Sequence, residues 1–187
     1  MIRILNDVLS QDYIDQLLAW NESTKGGDVW SSNQTKWIDV LKYATGGTIL
    51  SRALPDEWKN PIYYELSNRG KLDYLPYASS AILYMGYASS CVNWHPDYVD
   101  YDAMSIYLNR EWDSNWGGWF AWTEQDKGVD SPTINPKMGN FYSPQYNTAI
   151  HSTEREWHCT TPTATVAPPR ISIQLFFSKK PNGSETV

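Results

Sequence analysis

Two side chains able to hold a divalent cation stand two residues apart in the run Trp94-His95-Pro96-Asp97. In an extended segment side chains alternate faces, so His95 and Asp97 project to one side while Pro96 points away. A neutral imidazole and a carboxylate suit a borderline divalent ion. A third ligand from a distant strand would close one triangular face of an octahedron and leave the opposite face open. Each of these residues also has an ordinary reading, because Asp97, like Asp100 and Asp102, is a residue type that favours turns. His158 has no motif partner and reads as a loop side chain.

A ligand pair at a strand end needs a rigid scaffold, and composition says what kind. A chain of 187 residues fits one domain with a real core. Its 10 Trp and 13 Tyr stand against only 4 Phe, so most of its rings carry a polar atom that must be satisfied when buried. That balance points to a β-rich domain with a polar, aromatic-lined cleft. The net charge of -6 and the pI near 5.0 argue against nucleic acid as the default partner. No apolar run approaches the roughly 18 residues that cross a bilayer. The start, Met1-Ile2-Arg3-Ile4-Leu5-Asn6-Asp7, lacks the long apolar centre of a secretion signal. A soluble, intracellular (cytoplasmic) protein is expected, with Cys91 and Cys159 as inert thiols rather than a disulfide.

Along the chain, residues 10–20 are expected to be a helix, with Ser10 as N-cap, a stripe of Tyr13, Ile14, Leu17 and Leu18, and a staple between Leu9 and Ile14. Asn21 to Gln34 reads as a loop. Thr35 to Ala44 returns to helical spacing and is ended by Gly46-Gly47. A third helix falls within Pro55 to Arg69, with Trp58, Ile62, Tyr63 and Leu66 inward and Gly70 at its end. From Ser79 onward short β-type runs take over: Ala81 to Tyr87, Cys91 to Trp94, Ala103 to Leu108, Trp119 to Thr123, Asn140 to Tyr142, Ala149 to Ser152 and Ile171 to Ser178. Strands at this spacing predict a sandwich or jelly-roll barrel. The expected organisation is a single domain, with 1–78 as helical support, 79–178 as a β core and 179–187 as a loose tail.

The ordered text Leu83-Tyr84-Met85-Gly86, His95-Pro96-Asp97, Ser105-Ile106-Tyr107-Leu108-Asn109, Glu111-Trp112, Gly117-Gly118-Trp119-Phe120, Pro136-Lys137-Met138-Gly139, His151-Ser152 and Arg170-Ile171-Ser172 resembles the catalytic core of Fe(II)/2-oxoglutarate-dependent dioxygenases, in their prolyl 4-hydroxylase-like branch. The resemblance covers about 95 residues, and the order of the pieces carries it, since none is specific alone. It implies a double-stranded β-helix, a squashed barrel of two sheets with the metal at one mouth. It also implies that His95, Asp97 and His151 bind Fe(II), with 2-oxoglutarate and O2 as cosubstrates and ascorbate as a reductant. Arg170 would receive the far carboxylate of 2-oxoglutarate, for which a planar guanidinium offers two parallel hydrogen bonds. Ser172, on the same strand face, and the family-matching Tyr84 and Tyr107 would add hydroxyl donors. The reaction implied is hydroxylation of an unactivated C–H bond coupled to decarboxylation of 2-oxoglutarate to succinate. Peptidyl proline is the first substrate to test, with a small molecule close behind.

Two departures stand out. His151 and Arg170 are nineteen residues apart, about twice what this branch uses, and the excess, Glu154 to Pro168, reads as an inserted loop with Arg155 as a rival to Arg170. Trp119 follows the two glycines where relatives often carry a small or acidic residue, and is expected to narrow the substrate cleft together with Tyr98 and Tyr101. Two other classes compete. One is a metal-free β-sandwich binding carbohydrate or protein through exposed tryptophans, and the other a cupin-like metalloenzyme that holds zinc without 2-oxoglutarate. Trp112, Trp116, Trp119 and Trp122 also have an ordinary reading, as rings that fill core or cover a sheet face, with Trp122 as core.

Overall fold

The computed structural model describes residues 1–24, 31–32, 45–73, 78–97, 102–124, 134, 136–153 and 156–178. The expected helix at 35–44, the tail at 179–187, Tyr98, Tyr101 and Arg155 lie outside them.

Helix α1 (Gln11–Ser23) begins as its sequence dictates, with the Ser10 side chain accepting from the Tyr13 N–H and Asp12 in the first turn. Tyr13, Ile14, Leu17 and Asn21 make its buried stripe. The helix runs three residues beyond the expected end because Asn21 is accommodated inside, where its amide faces Met85 Sδ at 3.9 Å and Arg52 Nη1 at 3.5 Å. Helix α2 (Asp56–Asn68) buries Ile62, Tyr63 and Leu66, and Gly70, just past its C-cap, takes φ +64°. Pro61 sits inside the helix, where it removes one backbone donor without ending it.

Twelve strands form two antiparallel sheets among the described residues. The larger has the order β1 (Ile2–Asn6), β10 (Thr148–Ser152), β7 (Asp102–Tyr107), β12 (Arg170–Ser178), β5 (Ala78–Gly86), β4 (Ile49–Ala53), β2 (Ser31–Ser32). The smaller has the order β3 (Thr45–Gly46), β6 (Cys91–His95), β11 (Trp157–Thr160), β8 (Phe120–Thr123), β9 (Asn140–Tyr142). The expected strands are all present within a few residues. Not foreseen were β1, β4 and the two short strands β2 and β3, so strand pairing begins well before residue 79. Also not foreseen was β11, which occupies part of the stretch read as an inserted loop.

Alternation gives the large sheet two different faces. One row of register partners, His151, Met104, Leu175 and Ala81, belongs to the side carrying Ala149, Ile106, Ile173, Leu83 and Phe177, which forms the main core with α1 and α2. The other row, Tyr107, Ser172 and Tyr84, faces the small sheet. Two apolar clusters join the sheets there: Tyr107 and Ile150 with Phe120, and Ile49 and Tyr84 with Val92. No helix of the described residues is long and apolar enough to cross a membrane.

Candidate metal centre

Strands β6 and β11 are antiparallel neighbours, and their register sets His158 directly opposite His95. The two rings lie 4.4 Å apart, centre to centre. Asp97, two residues past His95, brings its Oδ2 to 3.6 Å from His158 Nε2. One ligand atom from each of His95, Asp97 and His158 lies within 4.8 Å of the other two.

The histidines share a device. His95 Nδ1 lies 2.6 Å from the Asn93 carbonyl and His158 Nδ1 lies 2.9 Å from the Glu156 carbonyl, each two residues earlier in the chain. A carbonyl accepts, so each Nδ1 carries the proton and each Nε2 keeps a lone pair for a cation. Burial pushes His95 down to about 4, with the His158 ring adding to the fall and Asp97 partly opposing it; burial lowers His158 as well. Both rings are therefore neutral at pH 7, the form that ligates. His158 is further fixed by stacking on Phe120, at 4.9 Å and 14°.

His151 is elsewhere. Its strand parity turns it to the helix-side face of the large sheet, where its Nε2 meets Asp102 Oδ2 at 3.2 Å and its ring packs on Phe177. His158 takes the place expected for it, and the expected loop side chain is a strand residue. One signal was available: His158 precedes Arg170 by twelve residues rather than nineteen, which removes most of the anomalous spacing.

Arg170 and Ser172 lie on the inward face of β12, and Ser172 is flanked across the strands by Tyr84 and Tyr107. Burial pushes both phenols up to about 12. The Asp97 carboxylate adds to the effect at Tyr84, and the Arg170 guanidinium opposes it at Tyr107. Tyr84 thus senses the metal-ligand cluster and Tyr107 senses Arg170, so the row spans the ground between them. Arg170 is 8% exposed, donates from Nη1 to the Gly118 carbonyl at 2.7 Å, and has a buried Nε without a hydrogen-bond partner among the described residues. An unmatched buried guanidinium donor costs roughly 1–3 kcal/mol or more, which an anion placed there would relieve.

Trp119 does not line this space. Its neighbour Phe120 points inward, so Trp119 lies on the outer side of the small sheet, stacked on the exposed Phe141 at 4.7 Å and donating from its indole N–H to the Ser114 carbonyl. Trp122 faces inward beside Phe120. Trp112 packs edge-on against Trp116 and donates to the Gly117 carbonyl. Cys91 and Cys159 are free thiols; burial pushes Cys159 up to about 11.

Two imidazole lone pairs and a carboxylate converging from one strand pair are a fitting donor set for Fe(II), and the Arg170 Nε fits the distal carboxylate of a 2-oxo dicarboxylic acid. No family model and no curated protein sequence matches the chain. Solved structures do. A prolyl-4-hydroxylase from Pseudomonas putida superposes with a TM-score of 0.71 at 12% identity, over 96% of this chain and 93% of its own. A prolyl hydroxylase from Trichoplax adhaerens, in complex with a hypoxia inducible factor oxygen degradation domain peptide fragment, gives 0.67 at 14% identity, over 95% and 83%. HygX from Streptomyces hygroscopicus, with nickel, 2-oxoglutarate and hygromycin B bound, gives 0.60 at 9% identity, over 95% and 83%. At these identities the likeness is one of fold: the two antiparallel sheets are the double-stranded β-helix of the 2-oxoglutarate oxygenases.

Proposed function

We propose that this chain is an Fe(II)- and 2-oxoglutarate-dependent dioxygenase that hydroxylates an unactivated C–H bond, with peptidyl proline as the first substrate to test. The observation that carries the reading is the convergence of His95, Asp97 and His158 within 4.8 Å, on a fold shared with prolyl hydroxylases. When bound, metal and cosubstrate supply the oxidising chemistry, consuming O2 and converting 2-oxoglutarate to succinate and CO2.

The chain's own share is binding, orientation and exclusion of water. His95, Asp97 and His158 would hold the metal through the two Nε2 atoms and one carboxylate oxygen. The carbonyls of Asn93 and Glu156 fix the ring planes and tautomers, so the ligands need little reorganisation when the ion arrives. Arg170 would take the far carboxylate of 2-oxoglutarate, with the hydroxyls of Ser172, Tyr84 and Tyr107 on the same face as further donors. Both tyrosines remain protonated at neutral pH, so each is a donor rather than an anion competing for Arg170. Phe120 and the two phenols wall the site with ring surface.

The test is a turnover assay of Fe(II)-loaded protein with 2-oxoglutarate, O2 and ascorbate against proline-containing peptides and small hydroxylatable metabolites. Succinate release, with a product heavier by one oxygen atom, supports the reading. Turnover that proceeds unchanged without 2-oxoglutarate, with zinc in the site, would replace it with the cupin-like alternative.

A further inference from the structure

Strand β7 ends at Tyr107, yet its register with β12 continues: Tyr107 opposes Ser172, the Leu108 N–H donates to the Ile171 carbonyl at 3.0 Å, and the same count sets Asn109 against Arg170. At that point the Asn109 side chain replaces backbone pairing. Its Oδ1 accepts from the Ile171 N–H at 2.7 Å and its Nδ2 donates to the Pro169 carbonyl at 2.9 Å. One amide thus brackets Arg170 from both sides, where the preceding prolines, Pro168 and Pro169, have no N–H to offer a ladder. The far end of Arg170 is held as well. Gly118, at φ +66°, accepts from Nη1, and a Cβ on Gly118 would stand 3.3 Å from Arg170 Cδ and 2.9 Å from Thr163 Cγ2.

We infer that Asn109 is a positioning residue for cosubstrate binding, holding the backbone of Arg170 so that its guanidinium, tethered to Gly118, is aimed at the distal carboxylate of 2-oxoglutarate. The inference rests on the proposed function. An arginine has many rotamers to lose on binding an anion; a fixed backbone and one committed N–H remove most of that loss beforehand, and the saving appears as affinity. The Nε left without a partner is the group this arrangement holds ready.

The same chain supplies a control. Asn147 also holds a backbone through both ends of its amide, though at one residue rather than across it: its Oδ1 accepts from the Leu9 N–H at 3.0 Å and its Nδ2 donates to the Leu9 carbonyl at 2.8 Å, on the helix side of the molecule. Its φ of +55° makes glycine the replacement that removes the bracket without adding strain. The experiment is anaerobic calorimetry of 2-oxoglutarate binding to the Fe(II)-loaded full chain, with thermal midpoints and metal affinity measured separately for each variant. Asn109→Ala is expected to weaken 2-oxoglutarate binding by about tenfold or more while metal affinity stays at the wild-type value. Asn147→Gly is expected to lower the midpoint at least as far and leave 2-oxoglutarate affinity unchanged. Asn109→Gln keeps both amide groups on a longer stem, so it serves if the alanine variant fails to fold; it should bind more weakly than wild type at a near-native midpoint. Wild-type affinity in the folded Asn109 variants, or an equal loss in Asn147→Gly, would overturn the inference alone. A wild type that binds metal but no 2-oxoglutarate would overturn it together with the dioxygenase reading.

Discussion

A carbonyl two residues upstream of each cluster histidine decides which ring nitrogen is available, and this local device is repeated in His95 and His158. Arg170 is the other residue whose setting implies a ligand, because a buried guanidinium with an unpartnered Nε is otherwise a cost. Arg170→Ala should reduce 2-oxoglutarate affinity about a hundredfold, and Arg170→Lys about tenfold, since an ammonium lacks the planar fork; metal affinity should hold in both, measured by anaerobic titration. The His95 and Asp97 pair was legible in its spacing alone, His95 closing β6 and Asp97 following two residues on, whereas Arg170, Ser172, Tyr84 and Tyr107 were picked out by the order of family motifs, and strand register sets Ser172 between the two tyrosines. His158 was not, since the Thr and Pro around it mask a strand of only four residues, three of them buried in succession, which leaves no alternation to read. His151 drew attention by its place in an ordered set of motifs, but motif order carries no information on which face of a strand a side chain occupies.

The element that assembles the site is the pair β6 and β11, and the turn at Gly117 and Gly118, ahead of β8, pairs with the segment that follows β11 and accepts from Arg170 of the large sheet. Gly117 has φ +67° and its absent Cβ would stand 2.3 Å from the Pro162 carbonyl oxygen, so no side chain fits without moving the segment that follows β11. Gly117→Ala should destabilise the fold by roughly 1–3 kcal/mol, seen as a fall in midpoint of about 2–4 °C per kcal/mol in a thermal melt. The two described helices were legible to within three residues because capping and apolar spacing are local signals. The edge strand β1 was not, since its burial is sparse and its pairing with β10 spans nearly the whole chain.

At the scale of the molecule, the large sheet separates two environments, a helix-packed core on one face and the candidate site on the other. That division places the buried His151–Asp102 pair in a structural role, and His151→Ala should cost roughly 1–3 kcal/mol of stability in chemical denaturation, without touching the metal. It also buries phenols on both faces: burial pushes Tyr63 and Tyr107 up to about 12 from an ordinary value of 10. A phenol raised in the folded state contributes stability that is intact below pH 10 and lost as pH climbs toward 12, because the unfolded chain ionises first. Denaturant midpoints measured from pH 9 to 12 should therefore fall across that window, and a flat profile would contradict the burial of these rings. The most direct test of the central claim is the Fe(II) affinity of the His158→Ala and His151→Gln variants beside wild type, measured anaerobically. Loss of about a hundredfold or more in His158→Ala with near-native affinity in His151→Gln is the expected result. Near-native affinity in His158→Ala, or a comparable loss in a folded His151→Gln, would contradict the His95, Asp97 and His158 centre.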